Sequence, residues 1–544
     1  MAKTSYFLKL FIVMLLGQHE KVFSKSEKLG ESRTKPNGKV DGVELETVTE
    51  AVGVTEETEV RSVSPSNSLV WGPGLETSFF MPVRYFYIRA VDQYNVSFTD
   101  SVGENVFELK LRSPSSERVR VHTQVLDRHD GVYIARFRAY ASYRDVEIDV
   151  VYKGKHVAKS PYKLQGMLYH EKCYCPVAKI DKWLSVMKCP ESYKQIKQDL
   201  SIFQQFDADE VGKEIVQRFS NAGSHSLCHY RVINNQIYRQ THGKHVGFKM
   251  FTDAILLSLA RKVKLPDLDF FVNLGDWPLE RRKVSDNPLP ILSWCGSDSS
   301  RDIIMPTYDI TEATLEMMGR VTLDITSVQA NTGPKWEDKI EKGFWRGRDS
   351  RQERLDLVVM ARKHTDLMNA SLTHMFFFPK DDEKYGSLVK PISFFDFFKY
   401  KYQLNIDGTV AAYRMPYLMA SDAVVLKQDS EYYEFFYKSL KPFKHYIPMK
   451  RDLSDVIQII NWAKEHDEDA KRIAKNAQEF IRENLMPKDI FCYHIKLLQE
   501  YSKLLKSKPQ KPDETWDIVP QPDDRDAFCD CKRMKKKVKL TDEL

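Results

Sequence analysis

Residues 344–448 constrain the fold of this chain most. An apolar segment, 402–406, breaks at Asp407-Gly408 and gives way to a helix-favouring run, 410–420. A second apolar run, 423–426, follows, then an aromatic stretch of helical pattern and the short strand-like His445-Tyr-Ile-Pro448. Alternation of this kind reads as βαβ units on a parallel sheet. Ligands of such sheets bind beyond the carboxyl ends of the strands. A helix opening there presents free N–H groups and a positive dipole to a phosphate. The spacing places Arg414 one turn into that helix, where a guanidinium makes a bidentate contact to a diphosphate. A surface helix residue is the competing reading, and spacing alone does not choose.

The two ends point to a compartment. Residues 1–24 carry Lys3 and Lys9 ahead of a short apolar core, 10–16, and a small-residue cut near Ser24, the pattern of a secretory signal peptide. The last residues, Thr541-Asp-Glu-Leu544, resemble the Lys-Asp-Glu-Leu retrieval signal. The expectation is a protein of the endoplasmic-reticulum lumen that engages the retrieval receptor through residues 541–544. Eight cysteines agree with an oxidising compartment. Cys173 and Cys175 are too close to bridge each other, as are Cys529 and Cys531, so each is expected to pair elsewhere. Without a C-x-x-C pair, zinc is not expected. The sequons at Asn95 and Asn369 are candidate glycosylation sites. After the leader no stretch approaches 18 apolar residues, so no transmembrane segment is expected. The formal charge of +6 is mild for 544 residues. Much of it lies in 532–539, and a secretory address argues against a nucleic-acid partner.

Composition divides the remainder into a spacer, 25–67, poor in aromatics; a β-rich region, 68–166; a mixed α/β region, 169–507; and a basic tail, 508–544. Short β-rich runs at 86–90, 106–111, 119–125, 131–137 and 146–151 predict an all-β sandwich. Within it Trp71-Gly-Pro-Gly-Leu75, Asp130-Gly-Val-Tyr133 and Val151-Tyr-Lys-Gly-Lys-His156, closing on Ser160-Pro-Tyr162, resemble the immunoglobulin-like filamin repeat. That resemblance implies a sheet edge near the third and fourth strands open to a partner's strand. A structural spacer is the alternative, and neither brings chemistry to this region.

The α/β region has a length that suits two facing Rossmann-like halves. A helix is expected over 193–219, a strand pair at 231–238, a helix at 247–261 and a strand at 269–274. Further units fall at 291–306 and 344–360, and long helices at 452–466 and 469–485. Asp276 directly follows the apolar strand, where a carboxylate can take a proton from an attacking hydroxyl; a turn aspartate is the competing reading. Arg346, Arg348, Arg351 and Arg354 surround a glycine turn that leads into a helix, and helical spacing lets only some of them face one phosphate. The pairs Asp207/Asp209 and Asp267/Asp269 lie in a helical stretch and ahead of a strand rather than at a strand exit. They read as caps or surface residues, and no metal is expected.

Taken in order, His229-Tyr-Arg-Val-Ile, Asn273-Leu-Gly-Asp-Trp-Pro278, Asp302-Ile-Ile-Met-Pro306, Trp345-Arg-Gly-Arg348, Glu353-Arg354, Asp407-Gly-Thr-Val-Ala-Ala-Tyr-Arg414 and His445-Tyr-Ile-Pro448 resemble the CAP10-type domain of Rumi-like protein O-glucosyltransferases, glycosyltransferase family 90. With a filamin-type repeat in front and the terminal motif behind, the similarity is to the KDEL-containing subgroup. The resemblance implies a two-domain GT-B fold and an inverting, metal-independent transfer of glucose from UDP-glucose, with no cofactor. The acceptor it implies is a serine on a folded EGF-like repeat of an extracellular protein such as Notch or a fibrillin. It further implies Asp276 as the base and Arg354 as a contact to the nucleotide sugar. Thr409, Val410, Ala411, Ala412, Tyr413 and Arg414 would be the loop and helix start that hold the diphosphate. Trp277 beside Asp276 reads as a residue that packs against the sugar or the acceptor, or, more simply, as a core residue. Two departures stand out. Leu355 replaces the last residue of the family's Glu-Arg-Asp motif. Arg348 stands beside the donor where a small polar residue is usual, either altering donor choice or adding a phosphate contact. The rival readings are transfer of xylose from UDP-xylose and a non-catalytic lumenal binding or quality-control protein.

Overall fold

The computed structural model describes residues 61–221, 226–282 and 287–531. The expected signal peptide, most of the expected spacer, the basic run 532–539 and Thr541-Asp-Glu-Leu544 lie outside the described residues.

The β-rich region forms two facing antiparallel sheets. One holds Leu69–Trp71, Arg84–Arg89, Val132–Ala139 and Val121–Asp127, in that order. In the other, Phe107–Arg112, Lys155–His156 and Tyr162–Leu168 all pair with Tyr143–Tyr152. The five expected strands are present with ends moved by a few residues. The short Leu69–Trp71 and Lys155–His156 and the last strand carry no pattern long enough to read. Strand periodicity explains the burial. Phe86, Ile88, Ala135 and Phe137 point between the sheets. Their alternates Tyr85 and Ile134 point the other way, into the core of the α/β region, joined there by Phe79 and Met81. A spacer would leave that face to water; here it is covered.

The α/β region carries two sheets. In the first the order is Ile303–Ile304, Ile291–Ser293, Leu268–Asn273, Ser226–Ile233, Gln236–Gly243, Asp517–Ile518. Its first three strands are parallel to one another, and the hairpin and tail strand run antiparallel. The second sheet is wholly parallel: Met368–His374, Ile340–Arg348, Tyr400–Asn405, Val424–Gln428, Ile447–Met449. It is the sheet that the alternation in 344–448 predicts. Its central strands are buried on both faces, as parallel strands are.

Several elements differ from expectation for local reasons. The run 410–420 is helical only from Met415 to Ala420, with Arg414 as the N-cap residue rather than one turn inside. Pro416 favours the first turn of a helix, because it lacks an N–H and fixes φ. The aromatic stretch near 431–440 is not a helix but the strand Tyr432–Tyr433 and one 3-10 turn, Tyr437–Ser439. The expected helix 193–219 is split into Lys194–Leu200 and Ala208–Phe219, where Asp207 caps the second through the N–H groups of Asp209 and Glu210 at 3.0 and 3.1 Å. A buried helix, Pro487–Ser502, has no expected counterpart.

Three disulfides join Cys173 to Cys529, Cys175 to Cys531 and Cys189 to Cys492, with Cα atoms 5.5, 5.4 and 5.5 Å apart. Cys228 and Cys295 are buried thiols. Of the two sequons, Asn95 is exposed in a left-handed turn. Asn369 lies inside a parallel strand, its amide donating to the Tyr400 hydroxyl at 2.7 Å and accepting from Arg346 at 2.7 Å, so a glycan there would break the pair. No helix among the described residues is long and apolar enough to cross a membrane.

Candidate active site

Asp276 sits three residues beyond the carboxyl end of Leu268–Asn273, on a turn held from behind. The Asn273 amide donates to the Trp277 carbonyl at 2.7 Å and to Ser293 Oγ at 3.1 Å, while its oxygen accepts from Gly275 N at 2.9 Å. Ser293 in turn donates to the buried Asp302, which also accepts the N–H groups of Leu279 and Glu280, both at 2.9 Å. The turn is therefore clamped at both ends. Among the described residues no hydrogen bond or ion pair engages the Asp276 carboxylate itself. Burial pushes that carboxyl above the usual carboxylate range, and the positive charge of Arg348 draws it partway back. Trp277 is 53% exposed, so the core reading does not hold.

Arg348 closes the strand Ile340–Arg348 of the second sheet, so the two groups come from the carboxyl ends of different sheets. Its three companions are each occupied. Arg346 is bound to Asn369, and Arg351 lies 3.5 Å from Asp407 Oδ2. Arg354, at the start of the helix Gln352–Lys363, donates to the carbonyls of Asp407 (2.7 Å), Ile406 (3.1 Å) and Arg348 (3.1 Å). It thus pins the turn after Tyr400–Asn405 to the strand that ends at Arg348. A methyl group on Gly408 would sit 3.1 Å from the Arg354 guanidinium, which explains why the tightest point of the turn is a glycine. Leu355, where the motif would have a carboxylate, is fully buried in the core beneath the second sheet. Support for Arg354 comes instead from three backbone oxygens.

Arg414 donates to the Arg346 carbonyl at 2.7 Å and lies over the Phe397 ring. Burial and the neighbouring Arg348 lower its pKa to about 10; burial, then Arg414 and Arg348, lower that of Arg354 to about 9. Like charges gathered in one place depress each other's pKa, and among the described residues no carboxylate pairs with Arg348 or Arg414. Such a cluster is prepared for an anion. Between Asp407 and Arg414 the backbone runs as an irregular turn, with Val410 and Ala411 buried against Cys295 and Tyr432, Ala412 buried, and Thr409 half-buried. Tyr413 faces Tyr308 edge-on at 5.7 Å, and its buried hydroxyl has no partner. Asp276 acts electrostatically on both tyrosines.

The structure thus brings Asp276, Arg348, Arg354, Tyr413 and Arg414 to one place. Sequence reasoning missed Tyr308, which lies on the other sheet's side and carries no motif signal. It also missed Asp349, whose fully buried carboxylate accepts the N–H groups of Phe376, Phe377 and Phe378, each at 2.8 Å. That bond set holds two exposed phenylalanines, Phe376 and Phe377, one residue away from Arg348. Both D-x-D pairs are committed elsewhere. Asp207 is a cap and Asp267 accepts Asn234 N at 2.9 Å. Asp269 is not a surface residue but buried, bonded to His229 and to Arg231 Nε.

A carboxylate held on a clamped turn and a cationic cluster at the ends of two sheets are chemically suited to moving a proton beside an anionic group. Residues 184–541 match the family model Glycosyl transferase family 90, and residues 62–163 match the Filamin/ABP280 repeat. The chain belongs to glycosyl transferase family 90. It is 56% identical over 481 residues to "Protein O-glucosyltransferase 2" of Danio rerio, covering 88% of this chain and 95% of that one. To "Protein O-glucosyltransferase 3" of Homo sapiens it is 49% identical over 479 residues, covering 87% and 94%. "Protein O-glucosyltransferase 1" of Homo sapiens is 29% identical over 332 residues, covering 59% and 82%.

Proposed function

We propose that this protein transfers glucose from UDP-glucose to a serine hydroxyl on folded EGF-like repeats of secreted or membrane proteins, in the lumen of the endoplasmic reticulum and without a metal ion. The observation that carries the reading is the unpaired Asp276 opposite the unpaired Arg348 and Arg414. Relatives named as protein O-glucosyltransferases support the sugar and the protein acceptor. The signal-like start, the retrieval-like end and three disulfides support the compartment. Two sheets that direct their carboxyl ends at one site support a GT-B arrangement, with the donor on the parallel sheet.

In this mechanism Asp276 accepts the serine proton as the oxygen attacks the anomeric carbon from the face opposite UDP. The α-linked donor becomes a β-linked product without a covalent enzyme intermediate. Charge developing on the leaving diphosphate is met by Arg414 and Arg348, and by N–H groups near Thr409. Arg354 holds the turn on which that loop is built. Asn273 and Asp302 keep the base aimed. The exposed Trp277, Phe376 and Phe377 support an acceptor that offers apolar surface. Mass spectrometry of single EGF repeats incubated with the purified protein and either UDP-glucose or UDP-xylose tests the reading. A hexose added only with UDP-glucose is the expected result. A pentose alone would reassign the donor, and no addition with either would leave a binding protein.

A further inference from the structure

The sandwich meets the α/β region through one dense polar contact. Arg136, on the strand Val132–Ala139, is 4% exposed and points away from the sandwich core. Its Nη1 donates to both oxygens of Asp324, each at 3.0 Å, and to Thr326 Oγ1 at 2.6 Å; Nη2 donates to Ser327 Oγ at 3.1 Å. Asp324 is also the N-cap of the helix Ile325–Gln329, accepting the N–H groups of Thr326 and Ser327, each at 2.9 Å. That helix packs on Met415–Ala420, the helix that Arg414 opens. A second route runs beside it. Arg482 lies 3.5 Å from Asp130 of the sandwich and donates to Gln329 at 3.3 Å. Its helix, Asp467–Asn484, packs on Met415–Ala420 as well.

We infer that Arg136 of the filamin-type sandwich, through Asp324 and the helix Ile325–Gln329, is a positioning residue for Arg414 and the loop 409–414. The sandwich is thus a structural part of the donor site rather than a recruiting module beside it. A strongly packed core has discrete arrangements rather than a continuum, so loss of a buried, multiply bonded anchor at a helix start is felt at the helix it supports. The inference rests on the proposed use of a UDP-sugar for its kinetic readout only.

The experiment uses the full chain and compares Arg136→Met, Arg136→Lys and the control Lys335→Ala, which removes an exposed pair across the same boundary, 3.2 Å from Asp100. Each variant is confirmed folded below its melting temperature before it is read. Arg136→Met is expected to raise KM for the UDP-sugar about 3–10-fold, with a smaller change in kcat, a fold-change typical of losing one shared contact. It is also expected to speed amide hydrogen exchange in 409–420. Arg136→Lys should fall between it and wild type, and Lys335→Ala should match wild type. If Arg136→Met does not fold, Arg136→Lys is decisive alone. A folded variant of Arg136 with wild-type donor KM and wild-type exchange in 409–420 overturns the inference. If the wild-type chain turns over no UDP-sugar, the proposed function fails, while the exchange measurement still decides whether Arg136 supports the loop.

Discussion

At the scale of single residues the site turns on Asp276 and Arg348, which have no ion-pair partner among the described residues and act on each other through space. Asp276→Asn is expected to lower kcat on the order of 10²–10⁴-fold while UDP affinity stays within about twofold. Isothermal titration alongside turnover separates the two, and near-normal turnover in a folded variant would remove Asp276 from the role of base. The base works when deprotonated, so kcat/KM falls as pH drops through its pKa. Burial places that limb above the ordinary carboxylate range, and Arg348 holds it down. Arg348→Met should therefore shift the acidic limb to higher pH, and an unmoved limb would show that the two groups do not face each other. Asp276 is legible in the sequence because a strongly apolar strand ends just before it. The pairing across the site is not, because Arg348 ends a strand of the second sheet and Tyr308 opens the helix Tyr308–Leu315, and neither shares a spacing with Asp276. Nor does the pattern distinguish the free Arg348 from Arg346 and Arg351, whose partners Asn369 and Asp407 are remote in sequence.

Among elements, the parallel sheet is readable and its connections are less so. Apolar runs announce Ile340–Arg348, Tyr400–Asn405, Val424–Gln428 and Ile447–Met449, but not the edge strand Met368–His374. The length of the helix before Val424–Gln428 is decided by Pro416 and by the tertiary hold on the turn at Asp407, which helical propensity does not register. That hold is testable. Arg354→Ala strands three carbonyls and is expected to cost on the order of 2–4 kcal/mol in chemical denaturation, together with a weaker UDP interaction. Arg354→Lys recovers only part, because an ammonium does not span three oxygens as a planar fork does. A full recovery would show that charge alone matters there. The D-x-D pairs belong to this scale too, since each is engaged in capping or in the hairpin of the first sheet. Transfer activity is expected to persist in EDTA, measured against a buffer-matched control; loss in chelator that manganese restores would overturn the metal-free mechanism.

For the molecule as a whole, the acceptor should be a shape and not a peptide. Transfer is expected on a disulfide-bonded EGF repeat and is expected to fail on the same repeat reduced, whose ordering costs roughly 1–2 kcal/mol per residue. Equal kcat/KM on both would defeat the folded-acceptor reading. Both architectural parts are visible in the chain, yet their union is not. Tyr85, Ile134 and Arg136 read as the outward residues of an ordinary sandwich strand, and only the structure shows what covers them. Deleting 69–164, which the sequence suggests would spare chemistry, would instead leave Asp324 buried without its cation and strip an apolar face of its cover. The same face carries a consequence for biosynthesis. A chain made from its amino end completes the sandwich by Leu168, but Asp324 comes more than 150 residues later and the disulfide partners Cys529 and Cys531 later still. At ribosomal speed the first interval alone lasts roughly 8–30 s. Throughout it Phe79, Met81, Tyr85 and Ile134 form a greasy, finished surface waiting for a domain not yet complete, a natural client for chaperones.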